Sequence, residues 1–221
     1  IGMVMIIIAG HIDLSVGSVA AFIGAVSGVL AVHWGLPWGL AIVLSLLIGA
    51  LVGAWQGFWV AYVGIPAFIV TLAGMLIFRG LALVVLGNQN IGSFPTEYRA
   101  LGNGFLAGLF GESDPDVFTL VIGAVAIVAL AVQQVRTRLG RQKYDQDVDP
   151  LIWFIAKLAL VAVVIGWFTL ALASYKGIPV TLIVLAVLVL VYGIVMNRTV
   201  FGRHIYAIGG NRHAAELSGI K

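Results

Sequence analysis

The chain has 221 residues, of which 62% are hydrophobic and only 10% charged, with a formal net charge of +3 and a mean hydropathy of +1.12. A soluble domain carries roughly 25% charged residues, so this composition excludes a water-exposed globule and places the chain in a membrane. The 28 glycines suit closely packed membrane helices, and the absence of cysteine excludes disulfides and thiolate metal sites.

Residues 1–9 are apolar, but nine residues cannot cross about 30 Å of hydrocarbon as a helix. The chain opens at Ile1 with no initiator Met and no identifiable signal peptide. It is therefore expected to be an internal fragment whose first residues are the remnant of a longer span. Six further spans are predicted over 16–32, 38–63, 65–86, 117–135, 151–173 and 178–196. They are expected to be helices, because lipid offers no partner to free backbone groups, and the ~10-residue alternating strands of a barrel are missing. The predicted fold class is all-α: a polytopic helical bundle of about six full spans plus a partial N-terminal one.

Between the first two apolar runs, Ala9 to Ser18 places His11, Asp13 and Ser15 where no proper loop exists. A carboxylate at membrane depth is costly and faces protein or water, and a helix break is tolerated where backbone lines a cavity. Asp13 or Ser15 is expected to cap the helix opening at 16, its free N–H groups aimed into a pathway; the alternative is an interfacial turn whose Asp merely caps. His33 to Pro37 form a tight outer turn, and Gly64-Ile65-Pro66 an inner one. On the second span Ser45, Gly49, Gly53 and Gly57 recur every fourth residue, a spacing that lets another backbone approach, so a packing face is expected. Gln56 on the same helix offers either a helix–helix hydrogen bond or a donor to a solute hydroxyl. Arg79 is expected to snorkel outward or to pair with a buried acceptor such as Asp13, and Lys157 to snorkel to its own helix end.

Charge sets the orientation. Arg136, Arg138, Arg141 and Lys143 lie in segment 136–150, and Arg198, Arg203, Arg212 and Lys221 in the tail. Two spans separate these segments, so parity puts both on one face, and the positive-inside rule makes that face cytoplasmic. The intervening loop, 87–116, is then external, with Arg99 against Glu97, Glu112, Asp114 and Asp116, and has room for short helices and a docking surface. In the tail, Asn211 suits an N-cap, 212–217 a short helix, and Gly219 the left-handed residue that ends it. Under two turns of helix do not hold in water unaided, so the tail either docks on a partner or is a disordered juxtamembrane segment.

There is no G-x-x-x-x-G-K-[ST] loop, no nucleophile elbow and no H-E-x-x-H, and His11, His33, His204 and His213 form no ligand constellation. Neither catalysis, a cofactor, a metal nor a nucleic-acid partner is expected.

Gly10-His-Ile-Asp-Leu-Ser-Val-Gly-Ser18 resembles the G-G-I-D-L-S-V-G-S signature of permease subunits from bacterial ATP-binding-cassette sugar importers of the ribose/xylose type. Phe201 to Ile220 is similar to that family's G-R-x-x-Y-A-x-G-G-N-x-x-A-A-x-x-S-G-I segment, and Gly64 to Met75 and Phe78-Arg-Gly80 match further family segments. The basic loop, extra span and Tyr175-Lys-Gly-Ile-Pro179 within 136–177 resemble the longer xylose-type branch. Two departures stand out: His11 replaces the usual second glycine, and the chain stops just after the tail motif.

The resemblance implies a multi-pass permease of the bacterial inner membrane that translocates xylose or a related aldose while a separate subunit hydrolyses ATP. It implies a transmembrane core over 1–196 and a cytoplasmic coupling segment over 197–221. Within that segment Gly209, Gly210, Asn211, Ala214, Ala215, Glu216, Leu217, Ser218 and Gly219 would seat on the ATPase. Asp13, Ser15, Gln56 and Arg79 are the substrate-pathway candidates, with Gln56 able to meet a sugar hydroxyl. The implied partners are the ATPase, a periplasmic sugar-binding protein, a second permease copy as a homodimer, and membrane lipid. The alternatives are a secondary transporter driven by an ion gradient, with Asp13 and Arg79 as its charged pair, and a non-transporting membrane scaffold.

Overall fold

The computed structural model describes residues 1–87, 89–107, 111 and 113–220. Glu112 and Lys221, counted above in the charge balance, lie outside the described residues. The helices are α1 (Gly2–Ile8), α2 (Val16–Gly28), α3 (Trp38–Ala61), α4 (Ala67–Leu86), α5 (Thr96–Asn103), α6 (Val117–Lys143), α7 (Leu151–Ala173), α8 (Val180–Arg198), α9 (Val200–Gly210) and α10 (Arg212–Leu217). A π-helical turn, Val29–His33, continues α2, and β1 (Phe105–Leu106) pairs antiparallel with β2 (Ile178–Pro179). Among the described residues six helices, counting α2 with its π turn, are long and apolar enough to cross a membrane: α2, α3, α4, α6, α7 and α8. These match the six predicted spans.

Two differences are instructive. Helix α6 does not stop where the apolar run stops at 135 but continues to Lys143, with Arg141 and Lys143 in its last turn at the negative end of the helix dipole. Hydropathy marks the edge of the lipid, whereas Arg, Gln, Leu and Lys keep a helix going in water. The tail, expected to hold one short helix, holds two, because Thr199 caps α9 by accepting from the Gly202 N–H at 3.2 Å.

The chain divides into two units, Ile1–Arg99 with Val184–Lys221, and Ala100–Ile183. In the first, α2 lies along α4, and Phe78 of α4 meets Phe22 at 5.4 Å and, edge-on, Trp55 at 6.1 Å between ring centroids. Leu30, Ala31 and Ala41 form a buried cluster over which Phe94 and Tyr98 fold, and Ser27 and Tyr98 share a hydroxyl–hydroxyl bond of 2.6 Å. Gly28 makes this lid possible, since a Cβ there would press on Ile91 and Phe94 at 3.3 Å. In the second unit α6 packs on α7, with Gly123 so close to the Thr169 side chain that no Cβ fits. Asp116 caps α6 through Oδ2, which accepts from the Thr119 N–H at 2.9 Å and hydroxyl at 2.6 Å. The apolar faces of α3 (Leu46, Leu51) and α7 (Trp153, Trp167) stay exposed, as lipid-facing helices do.

Candidate functional site

The helix break at residues 9–15 is a built structure. Gly10 leaves α1 at φ +81°, a conformation that favours glycine. Asp13 then closes a local turn: Oδ1 accepts from the Ser15 N–H and from the Ser15 hydroxyl, both at 2.7 Å. The Leu14 N–H donates to Thr71 Oγ1 at 3.1 Å, and Thr71, itself anchored to the Ala67 carbonyl at 2.8 Å, pins the break to α4.

Ser15 stands at the N-cap of α2, but its side chain makes no capping bond. Its hydroxyl faces Asp13 and also Gln56 Oε1 at 3.0 Å, so it joins the break to α3 instead. This corrects the expected capping role of Ser15: the hydroxyl is drawn to the carboxylate, the stronger acceptor. A hydroxyl has one proton, so Ser15 serves one acceptor at a time. If Asp13 takes it, Gln56 can turn its NH2 toward Ser15 and leave its own carbonyl unmatched. In the arrangement seen, Gln56 Nε2 is buried without a partner, packed where Gly74 leaves a slot; a Cβ on Gly74 would lie 2.7 Å from it. Among the described residues, the other such buried side-chain atom is Trp59 Nε1.

Below this bond lies a cavity of about 340 Å³, whose polar wall is His11, Asp13, Gln56 and Thr71 and whose apolar wall includes Phe201 and Ile205 of α9. Gly53 and Gly57 line it too, with no atom within 4 Å of a Cβ on either, whereas Gly49 faces Ile23 at 3.8 Å. The expected packing face on α3 is thus packed at its Ser45–Gly49 half only; its Gly53–Gly57 half borders space. A second cavity of about 430 Å³ shares His11 and Ile12 and reaches Gly64, Pro66 and Arg212. His11 therefore borders both.

Arg79 is exposed on α4 and lines neither cavity. The sole ion pair among the described residues joins Arg212 and Glu216 at 2.9 Å on exposed α10, so of the two alternatives for Arg79, outward snorkelling or a pair with Asp13, the pair is not formed. Asp13 finds its donors locally, in Ser15.

The tail reaches this site through α9. Gly209 packs directly on the Ile8 carbonyl at the end of α1, an approach that no side chain permits, while nothing lies within 4 Å of a Cβ on Gly210. Asn211 caps α10 by accepting from the Ala214 N–H at 3.0 Å, and Gly219 follows the helix at φ +86°. Both features match the expected cap and stop. Ala214, Glu216, Ser218 and Gly219 are exposed, Leu217 is 78% exposed, and Ala215 is buried at 5%, facing its own chain. The sequence alone does not link Phe201 and Ile205 to the break, since nothing in a linear pattern marks two sites nearly two hundred residues apart as neighbours.

The whole chain, residues 1–221, matches the family described as "Branched-chain amino acid transport system / permease component". The chain belongs to this permease family. It is 37% identical over 220 residues to the xylose transport system permease protein of Haemophilus influenzae, covering 100% of this chain and 56% of that protein. The Escherichia coli (strain K12) xylose permease protein is 38% identical over 220 residues, covering 100% and 54%. The D-allose transport system permease protein of the same strain is 34% identical over 139 residues, covering 63% and 40%. This chain spans about half the length of the xylose permeases it matches. No solved structure matches. With six apolar helices among its described residues, this family member is a multi-pass α-helical membrane protein.

Proposed function

We propose that this chain is part of the membrane permease of an ATP-driven importer in the bacterial inner membrane, carrying xylose or a related aldose. A separate ATPase subunit hydrolyses ATP, and a periplasmic sugar-binding protein delivers the sugar. The observation that carries the reading is the cavity at the helix break. Its polar wall offers an amide, a hydroxyl, an imidazole and a carboxylate, and among the described residues that line it there is no Lys or Arg. A polyhydroxylated neutral solute suits such a wall. An amino acid would bring a carboxylate with no fixed cation to receive it, which argues for the sugars named by the relatives over the amino acids named by the family description.

In this reading Asp13, Ser15 and Gln56 serve the pathway, and Gly209 to Gly219 form the element that seats on the ATPase. Phe201 and Ile205 give that element a way to act: a force on α10 reaches α9, which walls the cavity. The exposed Leu217 is the apolar knob best placed to enter a groove on the ATPase. Basic residues in 136–150 and in the tail support a cytoplasmic position for both segments. The second permease copy rests on the resemblance alone.

The test is uptake by the full-length permease, its ATPase and its binding protein in sealed vesicles. Labelled xylose should enter with ATP and survive collapse of the proton gradient, and Leu217→Asp should abolish both uptake and ATPase co-purification. Leucine uptake without xylose uptake, or xylose uptake that persists without the ATPase, would refute the proposal.

A further inference from the structure

The second unit carries a feature that sugar passage does not use. Helices α6 and α7 meet at residues 144–150, and there Arg138 is fixed twice: Nη1 donates to the Asp149 carbonyl at 2.8 Å, and the guanidinium lies 4.8 Å over the Phe154 ring. A guanidinium has five N–H donors, so most remain available. Arg141 and Lys157 line the same pocket of about 120 Å³, in which Asp149 is the sole carboxylate among the described lining residues. Among the described residues, none of these three cations forms an ion pair.

The pocket runs into an apolar groove of about 70 Å³ between the two helices. Gln134, Phe154 and Lys157 border both, and Leu130, Leu158 and Ala162 floor the groove. A small aqueous anion would satisfy the cations and leave the groove empty. A zwitterionic lipid would fill the groove but bring a cation of its own to the basic pocket. An anionic glycerophospholipid satisfies both, with its phosphate on a planar guanidinium fork and its acyl chain already at hydrocarbon depth.

We propose that the α6–α7 junction binds one anionic glycerophospholipid, its phosphate held by Arg138, Arg141 and Lys157 and one acyl chain lying against Leu158 and Ala162. Such a lipid would hold the long, lipid-exposed α7 on α6 at the end where charge is densest.

The experiment is native mass spectrometry of the full-length permease in detergent with three probes: palmitoyl-oleoyl phosphatidylglycerol, phosphatidylcholine of the same chains, and glycerol phosphate. Each cation near an anionic headgroup contributes about a fivefold change in retention. Arg141→Gln and Lys157→Gln, both at exposed positions, should each lower phosphatidylglycerol retention by about that factor and leave phosphatidylcholine retention unchanged. Ala162→Trp, which fills the groove, should lower retention of both lipids. Equal retention of the two lipids by the wild type would overturn the proposal, and so would charge variants that affect both alike. Displacement of the lipid by glycerol phosphate at equal concentration would make this a free-phosphate site and overturn it too. If Ala162→Trp instead splits a dimer while lipid stays bound, the groove belongs to a second copy. Sugar uptake is not read in any arm, so failure here leaves the transport reading standing.

Discussion

Replacing Gln56 with Met tests whether the amide at the cavity serves the fold or the solute. The side chains are nearly isosteric, so no cavity opens. The substitution removes one hydrogen bond to Ser15, a net loss of about 0.5–1.5 kcal/mol, and removes a buried polar atom without a partner, a relief of about 1–3 kcal/mol. Ser15 keeps Asp13 as its acceptor. The two terms offset, so unfolding stability in detergent should stay within about 1 kcal/mol of wild type or rise. Sugar handling should suffer, because a neutral donor to a hydroxyl contributes about 0.5–1.5 kcal/mol, which is roughly a twofold to tenfold drop in rate. The assay pairs thermal unfolding with xylose uptake at saturating, sugar-loaded binding protein, so that delivery is not limiting. A variant destabilised by more than about 2 kcal/mol with unchanged uptake would refute the argument and make Gln56 a structural strut.

The Gly209-Gly210 pair should split: Gly209→Ala forces α9 off the Ile8 carbonyl at a cost of about 1–3 kcal/mol, whereas Gly210→Ala, in open space, should leave stability unchanged or slightly raised, both read as thermal unfolding. Asn211→Ala should cost about 1 kcal/mol locally, seen as faster amide hydrogen exchange in 212–217 with exchange in α3 and α4 unaltered. Gly123→Ala drives a methyl into Thr169 and should destabilise the second unit by about 1–3 kcal/mol, and adding Thr169→Ser should recover part of that loss.

Much of the architecture is legible in the residues because lipid enforces it: an apolar run of about twenty residues has to be a helix. The Asn211 cap and the Gly219 stop are legible for a similar reason, since each satisfies a local backbone demand. What stays hidden is relational. Periodicity tells which face Ser45, Gly49, Gly53 and Gly57 share, but not that the face runs from a packed helix into open space. Asp13 announces a polar site without revealing that Ser15 supplies its donors. Helix α9 is masked by Gly202, Gly209 and Gly210, which depress helix propensity because each is needed for a close approach or lies beside one.

The contact between Gly209 and Ile8 also bears on how the protein is made. It joins two ends of the described chain, and Phe201 and Ile205 complete the cavity wall from the same late segment. Domains emerge from the ribosome N-terminal part first, so the helix break at residues 9–15 enters the membrane long before its last wall exists. Until α9 arrives, Asp13 and Gln56 border a half-open polar notch. A chain truncated before residue 200 should therefore keep the helix break but lack the Phe201–Ile205 wall of its cavity.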